Sequence, residues 1–442
     1  MITIETKNEL RIEGLSEDQA QSLKNFLTIM NPKWDIASRM NKSLFGIPSK
    51  LRYYREDGQA LITPVGVLPA LRKLYPDANI TDKRFKAKKK INITFNGKLH
   101  DYQEEAVTEM LKDPNGVLCA KTGSGKTVMM IKMICELKEP TLILVHTVEL
   151  ANQFRSSLVK FTNLSDSEIG FVGDGKRDFK DITVALLQTV VTLDPALLND
   201  KFSAVFVDEV HIAPADTYAT AMSQLEGYHK YGASATPERA DGLTKVIFWL
   251  TGPLRYQVED SKLTATIIKP ITRTVDTNYY FPLFDTSEYQ DMISDLSSNK
   301  ERNDLILKTL SEYKTEQVVL LCQRVSQVEE LAKQIPKAVC LTSSMGKKER
   351  KTVMAGLVDQ THRIVISTYQ LFSTGIDIPT LEVLFMCAPI RSNVKVRQAA
   401  GRLMRRTVLL PNKQPIIVDF IDKRVELLKH QAYERTRIFR TL

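Results

Sequence analysis

The sequence predicts an α/β protein in which two parallel-sheet domains stand in tandem behind a small α+β module. From residue 96 onward, short apolar runs alternate with helical stretches, the pattern of a parallel sheet covered on both faces. The series then occurs a second time. The length of 442 residues also exceeds what one hydrophobic core serves, so two or three domains are expected. The predicted limits are 1–95, 96–255 and 256–442, with the α/β domains joined near Gly252–Thr277.

The bulk composition is that of a soluble globular chain, 43% hydrophobic and 26% charged. No uninterrupted apolar run approaches the roughly 20 residues that cross a bilayer, and Met1-Ile-Thr-Ile does not open a signal peptide. No membrane partner is expected, and a cytosolic location follows by default. Cys119, Cys135, Cys322, Cys340 and Cys387 are scattered, odd in number and mostly inside strand-like runs. They read as buried free thiols rather than as disulfides or a zinc site.

The net charge of +9 is uneven. Residues 1–95 hold 17 Lys/Arg against 10 Asp/Glu, and residues 395–442 hold 12 against 4. Positive ends suit a polyanion such as nucleic acid; solvated surface charge is the alternative reading.

In the N-terminal module, Ile2-Thr-Ile-Glu and Leu10-Arg-Ile-Glu flank a Lys7-Asn8 turn, and Ser16-Glu-Asp-Gln19 is a capping box for a helix reaching about Met30. A second hairpin is predicted from Leu51–Arg55, the Asp57-Gly58 turn and Ala60–Thr63. Tyr53 and Tyr54, between Arg52 and Arg55, suit either a sugar-phosphate contact or packing into a small core. The run Lys83-Arg-Phe-Lys-Ala-Lys-Lys-Lys90 reads as a linker or arm that either touches nucleic acid or stays hydrated.

The first α/β series predicts strands at Gly116–Ala120, Thr141–His146, Ile182–Leu186, Ala204–Glu209 and Lys230–Ala235. The second predicts them at Gln317–Cys322, Ala338–Leu341, Arg363–Thr368, Val383–Ala388 and Pro415–Phe420. The stretch that organises the chain is Ala120-Lys121-Thr122-Gly123-Ser124-Gly125-Lys126-Thr127, between a strand and a helix running to about Leu137. Such a turn offers backbone N–H groups and a positive helix end to phosphates. Lys126 then serves the β/γ oxygens and Thr127 a Mg²⁺ ion.

Downstream, Val205-Phe-Val-Asp208-Glu209-Val210-His211 sets two carboxylates at the end of a buried strand, where open α/β sheets bind ligands. Asp208 can hold the Mg²⁺, and Glu209 can orient or deprotonate the attacking water. Gly232-Ala-Ser234-Ala-Thr236-Pro-Glu-Arg239 ends the next strand. Ser234 and Thr236 there can hydrogen-bond to His211 and pass on the state of the nucleotide.

Asp-Glu-Val-His, Ser-Ala-Thr and the phosphate loop, in this order, resemble the motifs of a superfamily 2 helicase, nearest the XPB-like and phage UvsW-type branch-migration groups. The likeness covers about residues 96–442. Asn31-Pro32, Arg39-Met40 and Gly46-Ile-Pro48 also resemble the accessory domain that precedes the motor in that group. The resemblance implies two RecA-like domains using ATP and Mg²⁺. It implies adenine recognition by Gln103 in Leu99-His-Asp-Tyr-Gln103, where relatives usually carry Arg at the position of His100. Thr147, Gln188, Thr189, Arg324, Thr342 and Thr368 are implied to hold nucleic-acid backbone. Gly375 and Asp377, in Ser373-Thr-Gly-Ile-Asp-Ile-Pro379, are implied to lie in the motif that touches both DNA and ribose. Arg239-Ala240-Asp241 departs from the Arg-Glu-Asp of XPB-like relatives.

Gln398-Ala-Ala-Gly-Arg402-Leu-Met-Arg405 is similar to the motif that supplies cations to a γ-phosphate held by the other domain. One helix turn separates Arg402 from Arg405, so both are expected on one face. Such an arginine is worth about 10³–10⁵ in rate. The whole reading is an ATP sandwiched between two domains, with Lys126, Thr127, Asp208 and Glu209 on one wall and Arg402 and Arg405 on the other. The expected partner is branched or forked DNA, single- and double-stranded, together with recombination or replication proteins. A monomer is expected, in the host cytoplasm if the chain is phage-encoded. An RNA helicase and the motor of a restriction-type system are the competing readings.

Overall fold

Runs of β-branched and aliphatic residues become the strands of an 8-stranded, a 6-stranded and a 5-stranded sheet, with a 2-stranded ribbon beside them. The computed structural model describes the chain except for Thr122, 212–214, 236–241, 264–266, Phe284, 374–377 and Val408. It divides into two units, residues 1–121 with 125–259 and residues 260–442 with 122–124. Among the described residues no helix is long and apolar enough to cross a membrane.

In the N-terminal module β1 (Thr3–Thr6) and β2 (Glu9–Glu13) form the expected antiparallel pair, with Ile4 opposite Ile12. Both side chains are buried. The Ser16 capping box is formed with Gln19, but the helix is Glu17–Phe26 and stops short of Met30. Thr28 and Ile29 instead enter β3 (Thr28–Met30), which pairs with β4 (Lys50–Arg52), as β-branched residues favour. The predicted Leu51–Arg55 strand is thereby split. Its end becomes β5 (Arg55–Asp57), which turns at Gly58 into β6 (Ala60–Pro64). The strand β7 (Asn79–Asp82) completes the 5-stranded sheet in the order β5-β6-β2-β1-β7.

This module is packed on the first α/β domain within one unit. Trp249, on the helix Thr244–Thr251, is buried between Phe26 and Tyr53, with ring centroids 5.7 and 5.5 Å away. Gly66 faces the Phe248 and Trp249 carbonyls so closely that a Cβ there has no room. Tyr53 is thus a packing residue.

The 8-stranded sheet consists of β8 (Asn115–Cys119), β9 (Thr141–Val145), β10 (Ile169–Gly173), β11 (Lys176–Asp178), β12 (Ile182–Leu186), β13 (Ala204–Val207), β14 (His229–Ser234) and β15 (Leu254–Gln257). Its order is β11-β10-β12-β9-β13-β14-β8-β15, parallel except for the β10–β11 hairpin. The strands β10, β11 and β15 were not anticipated from the sequence. Parallel pairing of β9 sets Val145 opposite Leu186 and Leu144 opposite Val207, so the carboxyl ends of the strands arrive along one edge.

The second unit holds β16 (Ile271–Asp276), β17 (Val318–Cys322), β18 (Val339–Leu341), β19 (Ile364–Thr368), β20 (Val383–Met386) and β21 (Ile416–Ile421) in the order β16-β21-β20-β17-β19-β18, all parallel. Only β16 was not foreseen. Its core encloses two ion pairs, Arg302 with Asp422 and Arg435 with Asp419. Arg302 also donates to the Cys387 carbonyl and Thr277 to Asp422, which satisfies groups that would be costly to bury alone. All five cysteines are free thiols, and only Cys340 is partly exposed.

Candidate active site

The helix Lys126–Leu137 starts from Gly125 in the left-handed region (φ 83°) without a side-chain cap. Gly123 is also left-handed (φ 92°), a conformation that glycine reaches without the Cβ penalty. A helix beginning this way leaves its first N–H groups turned into the loop, where an anion satisfies them. A Cβ on Gly125 would collide with the Gln103 amide, so the backbone there is bare for a steric reason. Lys126 Nζ donates to the Ala120 carbonyl at 3.1 Å and lies 3.5 Å from Glu209 Oε1.

The strand β13 ends at Val207, so Asp208 and Glu209 sit on the turn just beyond it. Glu209 has φ 50°, a left-handed conformation that costs a non-glycine residue energy and concentrates at functional sites. Asp208 accepts the Glu209 N–H at 2.9 Å. Burial, followed by the charge of Glu209, pushes the Asp208 carboxyl up to about 7. Glu209 is driven the other way: burial opposes its ionisation, but the Lys126 and then the His211 charge outweigh it and hold it below the usual range. Like charges side by side separate in this manner.

His211 Nδ1 is 2.9 Å from Ser234 Oγ and 3.3 Å from Glu209 Oε2. His146, one residue past β9, has Nε2 3.2 Å from the Glu209 carbonyl. The sequence reading did not single out His146; its place at a strand end beside Thr147 was the available signal. Gln103 is buried, and its amide oxygen accepts the His100 N–H at 3.0 Å in a helix capping box. Thr127 opens the helix one residue after Lys126 and is half-buried.

These groups fit a magnesium-bound triphosphate. The Thr127 hydroxyl and Asp208 carboxylate are hard oxygen donors, and Mg²⁺ is usually held by one or two protein oxygens, with phosphate and water completing its shell. Among the described residues no group of three or more His, Cys, Asp or Glu could hold a metal by itself.

The positions expected to hold nucleic acid all lie at the carboxyl ends of strands. Thr147 follows β9 and accepts the Leu150 N–H at 3.2 Å as a helix cap. Gln188 and Thr189 follow β12 on the short helix Leu187–Val190. In the second unit Arg324 follows β17 and donates to the Gln290 side chain at 2.6 Å. Thr342 follows β18 and is 2.9 Å from Ser344 Oγ, and Thr368 ends β19.

Gln398 and Arg402 lie four residues apart on the helix Asn393–Leu403, so they share a face. The Arg402 guanidinium lies 5.7 Å from the Phe372 ring. Arg405 corrects the expectation of a continuous helical face. The helix ends at Leu403 with Met404 as its cap, and Arg405 forms a β-bridge with Ile267. The Ile268 N–H donates to the Met404 carbonyl at 2.7 Å and Lys413 Nζ to the Arg405 carbonyl at 3.2 Å. Backbone pairing, not helix periodicity, sets the direction of Arg405. Thr122, Thr236, Arg239-Ala240-Asp241, Gly375 and Asp377 lie outside the described residues.

A strand, glycine turn and helix, carboxylates at the end of the next strand but one in the same sheet, and a second parallel-sheet domain define tandem RecA-like domains. Residues 96–239 match the family model "Type III restriction enzyme, res subunit", and residues 301–407 match "Helicase conserved C-terminal domain". The chain is 24% identical over 368 residues to "DNA 3'-5' translocase XPB2" of Sulfurisphaera tokodaii, covering 74% of this chain and 82% of the relative. The solved structure of S. cerevisiae Dbp5 bound to RNA and ADP BeF3 matches with a TM-score of 0.58 at 15% identity, over 77% of this chain and 88% of that one. T4 UvsW aligns over 100% of this chain and 97% of its own at 19% identity, with a TM-score of 0.46. The chain thus carries both domains of a helicase-type motor, the first matched by the restriction-enzyme res-subunit model and the second by the helicase C-terminal model.

Proposed function

We propose that this chain is an ATP-dependent DNA helicase or translocase, moving 3'-5', that remodels branched or forked DNA in recombination, repair or replication restart. The observation that supports it most is the constellation at the carboxyl edge of the first sheet. Lys126, Glu209, His211 and Ser234 come from three separate segments and form an unbroken chain of contacts from the phosphate turn to the end of β14. Such a chain can report the presence of a terminal phosphate to a neighbouring strand end. The name of the archaeal relative supplies the DNA substrate and the polarity.

In this reading the Gly123–Thr127 turn binds the triphosphate through backbone N–H groups, and Lys126 exchanges its contact with the Ala120 carbonyl for phosphate oxygens. Thr127 and Asp208 would hold magnesium, which would supply charge neutralisation on the phosphates. Glu209, held ionised by Lys126 and His211, takes up the proton of the attacking water. Arg402 and Arg405 stabilise charge that builds on the transferred phosphoryl group. His211 and Ser234 relay the change at Glu209, and Thr147, Gln188, Thr189, Arg324, Thr342 and Thr368 grip the nucleic-acid backbone. The accessory module of residues 1–95 contributes to substrate choice.

The test is ATP hydrolysis and unwinding with forked DNA, a four-way junction, blunt duplex and structured RNA, each at stated salt. Stimulation by forked and branched DNA supports the reading. Stimulation by structured RNA alone transfers the chain to RNA remodelling, and hydrolysis indifferent to any nucleic acid overturns both.

A further inference from the structure

The basic stretch after β7 is no free arm. Arg84 is buried: it binds both oxygens of Asp82, donates to Asn115 Oδ1 at 2.7 Å and to the Tyr228 carbonyl at 2.8 Å, and lies 4.3 Å over the Tyr228 ring. Phe85 bridges Gly227 in parallel, with N–H···O bonds from Phe85 to Glu226 and from Tyr228 to Phe85. Five residues on, Lys90 Nζ donates to the Leu137 carbonyl and to Glu139, and the Ile91 N–H to the Lys138 carbonyl. Residues 86–89 are therefore stretched between two anchors, along a groove of about 730 Å³ whose lining includes Pro140, Asp200 and Lys201.

Lys83, Lys86, Lys88, Lys89 and Lys201 line this groove, and Asp200 is the one acid among its lining residues. All five lysines are exposed. Lys83 is paired with Glu5 at 2.6 Å. Lys86 and Lys201 rest over the Tyr228 and Phe179 rings, at 3.7 and 4.5 Å. Lys88 and Lys89 have no carboxylate partner among the described residues. Anchoring the backbone on both sides keeps Lys86, Lys88 and Lys89 in the lining of one groove, with the counter-charge of Lys88 and Lys89 left to an outside anion.

The groove is also at the wrong end of the sheet to belong to the active site. Pro140 precedes β9 and Lys201 precedes β13, so it lies at the amino ends of strands whose carboxyl ends carry His146, Thr147 and Asp208. Five residues of β9 separate the two edges, roughly 17 Å at about 3.3 Å per residue.

We infer that this groove is a second binding site for the phosphodiester backbone of duplex DNA, separate from the backbone-holding positions at the carboxyl edge. The inference rests on the DNA reading above. A groove rimmed by lysines recognises repeated phosphate charge without base sequence, which suits a duplex arm of a branched substrate.

The test measures binding to a fork with a duplex arm by fluorescence anisotropy between 50 and 200 mM NaCl, for wild type, K88A/K89A and K86E/K88E/K89E/K201E. Each lost phosphate contact flattens the log–log salt slope by about 0.9. The expected slope is shallower by about 2 in the double variant and by about 3 or more in the quadruple one. Affinity at 100 mM NaCl should fall about tenfold and a hundredfold. Melting temperature and DNA-free ATP hydrolysis should stay at wild-type values, as should maximal turnover with a short single strand. If wild type binds the fork and both variants keep its slope and affinity, the groove is left to an acidic protein segment or to solvent and the inference fails alone. If wild type binds no DNA, the proposed function fails and takes this inference with it.

Discussion

Lys126 Nζ lies 3.5 Å from Glu209 Oε1, so the cation expected to meet phosphate faces the carboxylate expected to activate water. Binding a triphosphate inserts negative charge beside this pair and draws Lys126 toward the turn. The two residues are therefore predicted to separate by function. Lys126→Ala should lose both nucleotide binding and hydrolysis. Glu209→Gln should keep binding within a few-fold while turnover falls by about 10²–10⁴, the range of a general base. Equilibrium binding of a labelled nucleotide, beside steady-state turnover, checks both; a Lys126→Ala protein with wild-type turnover removes the assigned phosphate cradle.

Arg402 is in the last helical turn and Arg405 lies beyond it in a β-bridge. Arg402→Ala and Arg405→Ala are each predicted to lower turnover by about 10³ or more with little change in nucleotide affinity, as expected for charge stabilisation at the transition state. Arg402→Lys should recover little, since an ammonium does not reproduce the planar fork of a guanidinium. Single-turnover hydrolysis rates distinguish these outcomes, and normal turnover in Arg405→Ala points to a nucleotide switch rather than a motor.

Trp249 is the side chain on which the N-terminal module sits, between Phe26 and Tyr53. Trp249→Ala is predicted to destabilise the first unit by about 3–5 kcal/mol, the usual cost of truncating a buried aromatic. Residues 1–95 should become the first site of limited proteolysis. Trp249→Phe, which keeps a ring there, should recover most of the protection.

In the second unit Arg302 binds both oxygens of Asp422 with neither side chain exposed. Removing one member strands the other, at a cost of about 3–5 kcal/mol. Arg302→Met is predicted to lower the urea midpoint of the second unit by that measure. The double variant Arg302→Met/Asp422→Asn should be more stable than the single one, because the orphan carboxylate is gone.

His229 supplies a pH dependence. Burial first, and then the nearby Arg84 and Lys90 charges, outweigh the pull of Glu139 and push its imidazole down to about 4 from 6.5. Between those two values the unfolded chain binds the proton and the folded chain does not, so folding stability is lost as pH falls through that window. The sensitivity is about 1.4 kcal/mol per pH unit, or about 3 kcal/mol across it. Replacing the ring by His229→Gln should flatten this part of the profile relative to wild type, as measured by urea unfolding from pH 4 to pH 7.

Much of the architecture was legible from local chemistry. Apolar runs bounded by turns located five strands in each α/β domain, and glycines at 123 and 125 marked a turn whose positive φ angles require them. Elements that sequence reading overlooked are weakly patterned or depend on distant partners. The strand β11 is Lys-Arg-Asp, wholly exposed, and exists only because β10 pairs with it. The strand β16 is half polar and is held by β21, more than 130 residues later.

The amino-acid order by itself determined that a phosphate turn, two adjoining carboxylates and a pair of arginines occur, because each rests on residue types and short spacing. Only the tertiary structure decided what those groups meet. Parallel register brings Ser234, His211, Glu209 and Lys126 into contact although the chain separates Lys126 from Ser234 by more than 100 residues. A β-bridge to Ile267 turned Arg405 off its helix, and two backbone anchors made a lysine-lined wall of what local charge alone reads as a loose arm. Spacing along a helix or strand is local geometry; which end of a sheet a side chain reaches depends on partners that no short window contains.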